Sequence, residues 1–187
     1  MPATITQFSE YELREQSIKV AGSNSFTPMN CVGTSEEELN VKIITKNCRG
    51  VKAKERVRGD GTGTLSQTLH VPVAVYNAIY NLNQSGLETG VRAYGKPNVH
   101  PEVCIVQKVE DEDGVLKYKA YPRAILESGP KRPITNGADE VAELDLEWAL
   151  LPDDNGYCMY EMFADDNSTL ASTWMTAFDP ADMIASA

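Results

Sequence analysis

Three carboxylates, Glu143, Asp145 and Glu147, recur at every second residue, the spacing that puts them on one side of an extended strand. Paired carboxylates do general acid–base work when a nucleophile or ligand set lies close by. Here no base or ligand set accompanies them, so a solvated or subunit-facing strand explains them more simply. His70 adjoins Val71 and Pro72 and reads as a packed histidine, and His100 lies in the rigid loop Pro97-Asn98-Val99-His100-Pro101. Cys31, Cys48, Cys104 and Cys158 are widely spaced, without a Cys-x-x-Cys pair, and the expectation is reduced cysteines half-buried in strands. Gly59-Asp60-Gly61-Thr62-Gly63 lacks the Gly-Lys-Ser/Thr of a phosphate loop and runs into strand-like sequence, so a hairpin turn is expected. Asp111, Glu112 and Asp113 do not have EF-hand spacing. No Gly-x-Ser-x-Gly elbow is present to anchor a hydrolase triad. The residues thus assign no catalytic group, cofactor or metal, and the expectation is a protein that is not an enzyme.

Charge is the more informative feature. The 187 residues carry a net −10, and after Arg132 there are twelve acids and no Lys or Arg, so the first 132 residues net +2. Within those lies a basic stretch, 42–58, holding Lys42, Lys46, Arg49, Lys52, Lys54, Arg56 and Arg58 against Glu55 alone. Solvated faces account for both segments; the sharper reading is that one face of a subunit meets opposite charge on a copy of itself. Nucleic-acid readout is not favoured, because the stretch has no aromatic residue for base stacking and the sequence pI is about 4.7.

The elements that must carry these charges have a period of two. Ala142, Leu144, Leu146, Trp148 and Leu150 fall opposite Glu143, Asp145 and Glu147 in a half-buried strand over 141–151. Val51, Ala53, Glu55 and Val57 alternate with Lys52, Lys54, Arg56 and Arg58. Asp113-Gly114 between Val103–Glu110 and Val115–Tyr121 marks a hairpin over about 103–122. Further turns are expected at 58–63 and at 153–156. Pro72 with Val71, Val75, Ile79 and Leu82 predicts a helix over about 72–83. A weaker helix is indicated near Asn167–Trp174, capped by Asn167 or Ser168, and the tail from Asp179 is expected to fray.

This order predicts a mainly β fold, sandwich-like, with one flanking α-helix, and no βαβ alternation for a nucleotide-binding sheet. A chain of this length buries enough surface to fold without disulfide or metal. No apolar run of about 18 residues is present to span a membrane, and the N-terminus has neither basic n-region nor apolar h-region, so folding in a cytoplasm is expected. The domain reading is an N-terminal arm over 1–35, a β-domain over 36–166 and a C-terminal segment over 167–187.

The stretch from Lys52 to Gly61, then Thr64-Leu-Ser-Gln-Thr-Leu-His-Val-Pro-Val, then the short helix and the hairpin about Asp113-Gly114, resembles the centre of siphophage major tail proteins, the tail tube family. The return strand Tyr118–Leu126 leading into Glu143–Leu150 is similar too, and the likeness covers about residues 35–165. The resemblance implies a β-sandwich-like, barrel-forming fold, six copies to a ring and rings stacked into a tube. It implies as partners further copies of the chain, the tape measure protein, tail terminator and distal tail proteins, and double-stranded DNA passing through the lumen. The place implied is the virion, after assembly in the host cytoplasm. If each copy supplies four inner strands, 24 strands at about 4.8 Å close a wall at least about 37 Å across. A wall that lets DNA slide must not bind phosphates, so acids are expected to outnumber bases on it. Candidate lumen-facing acids are Glu143, Asp145, Glu147 and Glu110. The bases Lys52, Lys54, Arg56 and Arg58 are then expected to face elsewhere, at a subunit interface. Another ring-forming virion or secretion tube component, such as a tail terminator, and a small β-rich ligand-binding module remain as alternatives.

Overall fold

A computed structural model describes residues 5, 7–29, 31–134, 136–137 and 143–185. Val141 and Ala142, expected to begin the acidic strand, lie outside the described residues. The strands are β1 (Glu12–Val20), β2 (Thr27–Met29), β3 (Cys31–Cys48), β4 (Val51–His70), β5 (Glu102–Glu110), β6 (Leu116–Leu126), β7 (Leu144–Leu151) and β8 (Tyr160–Phe163); the helices are α1 (Val73–Ile79) and α2 (Ser168–Ala177). All the strands join one antiparallel sheet in the order β2-β1-β5-β6-β7-β4-β3, with β8 paired to β6 beside β7. The fold is thus mainly β, as the alternation implies, and α2 stands where the weaker helix near Asn167–Trp174 was expected. Among the described residues no helix is long and apolar enough to cross a membrane.

Both faces of the central strands are covered, which sets where the core lies. Val103 and Ile105 of β5 point into a cluster with Leu65, Leu69, Leu146, Trp148, Leu150 and Ile79 of α1. Cys104 and Val106 point the other way, against Trp174 and Phe178 from α2 and the residue after it. A strand covered on both sides loses its polar alternation, and Val103–Gln107 are buried without a break. Trp174 fixes α2 by donating its Nε1–H to the Lys119 carbonyl at 3.1 Å. Asn167 caps the helix by accepting from the amides of Thr169 and Leu170.

Several expectations shift for local reasons. α1 stops at Ile79 because Tyr80 leaves helical geometry and Asn81 takes a left-handed backbone (φ 49°). Residues 1–35, expected as an arm, contribute β1 and β2, with Ile18 and Met29 in the core. The tail does not simply fray: Asp179 accepts from the Ala181 amide and starts a 3-10 turn, Pro180–Met183. The cysteines split into exposed Cys31 and Cys48 and buried Cys104 and Cys158, all free, and burial pushes the Cys104 thiol up to about 12.

The largest correction concerns Gly59–Gly63. It is not a hairpin turn: β4 runs through it for 20 residues, and the segment forms an irregularity opposite Asn40, where β4 advances four residues for two of β3. Gly63 is required there, since a Cβ would sit 2.6 Å from the Glu38 carbonyl oxygen. The reversal lies instead at Arg49-Gly50, between the paired Cys48 and Val51, and both turn residues have positive φ (51° and 77°). That is the two-residue hairpin turn whose twist matches its strands, carried here by Arg-Gly rather than the usual Asn-Gly.

Candidate functional site

The long β3–β4 hairpin divides into two parts. Its base, Thr34–Leu39 with Gly63–Thr68, pairs with β7 and belongs to the body. Beyond Val41 and Gly59 the two strands continue alone for about 25 Å at the usual rise per residue. From Glu38 through Asp60 every residue is exposed. A lone two-stranded ribbon is marginally stable in water, so a persistent one is expected to find cover.

Register decides what each side of this ribbon presents, because directly paired residues in an antiparallel ladder share a face. One face carries Val41, Ile43 and Val57, each more than half exposed, followed by the pair Thr45 and Glu55. The other carries the pairs Lys42–Arg58, Ile44–Arg56 and Lys46–Lys54. A second register shift after Lys46 turns Lys52 to the opposite side, where its ammonium pairs with Glu55. Lys54, Arg56 and Arg58 therefore form the expected basic row, and Lys52 leaves it.

The body continues the basic face as an acidic one. Cross-strand rows run Thr34–Thr68–Asp145 and Glu36–Ser66–Glu147, with Glu38 opposite Thr64. Contacts trace the continuity through the irregular segment: Asn40 Nδ2 donates to Thr62 Oγ1 at 3.0 Å, and Thr62 Oγ1 donates to Asp60 at 2.8 Å. The Thr62 hydroxyl, and next its backbone amide, donate to the Asp60 carboxyl and hold it below its usual range, with Lys42 adding to the effect. The acids and the bases, expected on different sides, share one face and are separated along the strand direction.

The four expected acids have unequal surroundings. Asp145 is exposed and accepts from Lys131 Nζ at 2.7 Å; Glu147 is exposed and has no cationic partner among the described residues. Glu143 is half-buried over Gly33, its carboxylate 4.0 Å from His70 Nε2. Glu110 sits on the α2 side of β5, where Arg14 donates to it and holds its carboxyl below the usual range. Glu36 and Glu38, absent from the expected set, complete the acidic face; the alternation Thr34-x-Glu36-x-Glu38 was the signal for them.

Within the curled sheet lies a polar belt. Gln67 and Gln107 both donate to Gln16 Oε1, at 2.6 and 2.8 Å, and both reach Ser35 Oγ. Beside it buried Lys119 donates to Glu37 at 2.6 Å and to Glu10 at 3.2 Å, and Tyr121 donates to the other oxygen of Glu37. Of these, Glu10, Ser35, Glu37, Gln107, Lys119 and Tyr121 line a cavity of about 180 Å³. Every cation there already has its carboxylate, so the belt ties β1, β3, β5 and β6 together instead of offering an open reactive site. His100 is likewise satisfied, between the Leu126 carbonyl and the Tyr94 hydroxyl. Among the described residues no group of three potential metal ligands converges.

No family model matches the chain, and no curated protein matches it. Among solved structures it is similar to a chain of the anti-feeding prophage baseplate, determined by cryo-EM with sixfold symmetrisation. That chain is 12% identical, the match covers 83% of this chain and 97% of the other, and the TM-score is 0.45.

Proposed function

We propose that this protein is a non-enzymatic structural component of a phage virion, which polymerises as stacked hexameric rings into the tail tube, a conduit for DNA ejection. The observation that carries the reading is the β3–β4 ribbon. Its two faces are uncovered, and β3 ends the sheet with a long unpaired edge. Exposed edges of this kind invite pairing, and natural proteins close, shorten or cover them. Joining copies edge to edge covers β3 and converts an open sheet into part of a continuous wall. The side opposite the core, with Thr34, Glu36, Glu38, Thr64, Ser66, Thr68, Asp145 and Glu147, is hydrophilic and anionic on the body, a surface along which a duplex slides without binding.

In this reading the polymer is built in the host cytoplasm and resides in the tail. A tape measure protein lies within it, and terminator and distal tail proteins meet its ends. Negative-stain microscopy and sedimentation of the purified chain test the proposal. Hollow cylinders of uniform width are expected; single molecules at every concentration overturn it.

A further inference from the structure

Arg92 and Arg132 stand apart from other cations of the body. Arg14, Lys117, Lys119, Arg123 and Lys131 each hold a carboxylate. Among the described residues Arg92 and Arg132 hold none, in a chain that nets −10. The two line one groove of about 760 Å³ with Leu82, Ala93, Tyr94 and Pro130, and no acid of the described residues lines it. Ligand pockets run from about 300 to 1,000 Å³ and combine apolar walls with a few fixed polar groups, so this space suits an organic group and not only a bare ion. Its walls are braced from beneath. Arg132 lies over the Tyr76 ring, 4.3 Å from the centroid, and its Nε donates to the Tyr76 hydroxyl at 2.6 Å. The two terminal nitrogens of Arg132 have no partner among the described residues. Arg92 commits only Nη1, to the Val91 carbonyl at 2.9 Å. Tyr94 meets the buried Tyr80 edge to face, and its hydroxyl lies 3.0 Å from His100 Nε2. Asn98 ties this loop to the end of α1: its Nδ2 reaches the carbonyls of Tyr80, Asn81 and Ala93, and its Oδ1 accepts from the Gly95 amide. A groove held in shape this way loses little freedom on binding.

We propose that this groove binds an acidic peptide, one carboxylate against the two guanidinium groups and an apolar neighbour against Leu82, Tyr94 and Pro130. A guanidinium presents paired N–H donors that match a carboxylate in shape as well as charge. The apolar wall favours a carboxylate carried on a chain over free phosphate, which would leave that wall uncovered. Residues 129–134 along one rim belong to no strand and make no backbone hydrogen bond among the described residues, so their main-chain groups are open to an extended chain. The groove lies within a single copy and needs no polymer to exist.

Calorimetric titration of the full-length chain with a short blocked peptide of alternating leucine and glutamate tests this. Saturable binding is expected, and Arg92→Gln and Arg132→Gln are each expected to weaken it roughly tenfold or more. Arg132→Lys is expected to recover only part of the affinity, because an ammonium lacks the planar fork. Arg92 is exposed, so its variant separates lost binding from lost fold, and urea midpoints measured in parallel do the same for Arg132. A leucine–glutamine peptide ending in a free carboxylate distinguishes a chain terminus from an acidic side chain as the anchor; either one supports the assignment. Equal affinity for the blocked, neutral leucine–glutamine peptide overturns it, as does undiminished binding by both glutamine variants. So does the absence of binding to either carboxylate peptide at about 1 mM. Inorganic phosphate or a double-stranded oligonucleotide held more tightly than the peptide, and lost on the same arginine changes, makes the groove a phosphate site and overturns it as well. None of these outcomes bears on the tube reading, which stands or falls on polymerisation.

Discussion

The body and the ribbon of this molecule solve the same backbone problem in opposite ways. In the body, β5 is buried on both faces, and every neighbour that covers it comes from the same chain. In the ribbon, strands of the same hydrogen-bonded kind extend with nothing of their own chain on either face. The body's sequence is spent on fold stability; the ribbon's is spent on what it presents. An exposed Ile43 or Val57 contributes little to the isolated fold, whereas a buried Trp148 contributes much.

Breaking the comparison from the body side should give the largest effects. Trp148 is 1% exposed, and Trp148→Ala is expected to cost about 3–5 kcal/mol in urea unfolding. Because its indole N–H has no partner among the described residues, Trp148→Phe is expected to cost much less than the alanine change. Lys119→Met leaves Glu37 facing the Tyr121 hydroxyl without its buried cation; a loss of about 3 kcal/mol is expected by the same measurement. Asn167→Ala removes the α2 cap and is expected to cost about 1 kcal/mol. The smallest effect on folding belongs to the ribbon: Ile43→Ser with Val57→Ser is expected to shift folding stability by no more than about 0.5 kcal/mol per site while abolishing sedimentable polymer. A ribbon variant that unfolds the monomer would erase the distinction.

Acid sharpens the same contrast. Burial alone would raise the Glu10 carboxyl, but hydrogen bonds and charge from Lys117 and Lys119 outweigh it and hold the carboxyl below its ordinary 4.5. A hydrogen bond from Arg123 lowers Glu102 in the same sense. A depressed folded-state value means the stabilisation is present above the unfolded value near 4.5 and is lost as pH falls through the folded one. Body stability is therefore expected to decline below about pH 4.5, and Glu10→Gln to flatten that decline in pH-dependent unfolding.

The sequence made the body legible where one face was buried. The 144–150 alternation, the Asp113-Gly114 hairpin and the Pro72 helix each follow from local chemistry that the tertiary structure leaves in place. It misled where glycine had two uses. Gly59-Asp60-Gly61 has turn chemistry, yet Gly63 serves a close backbone approach from Glu38, a relation between residues 25 apart that no local pattern reveals. The Arg49-Gly50 reversal was hidden because arginine is an unusual first residue for such a turn. The candidate site was legible as charge and not as placement. Lys54, Arg56 and Arg58 share a row as the alternation implies, but the shift after Lys46 removed Lys52, and only pairing with β3 and β7 brought Glu36, Glu38 and Glu147 onto that face.

With anionic groups at its base and cationic groups toward its tip, the β3–β4 hairpin is an electric dipole lying along its own strands. Its field extends roughly a Debye length, about 8 Å at physiological ionic strength and farther in dilute buffer. A charged molecule entering that field feels a torque along the hairpin axis, and the torque strengthens as salt is removed.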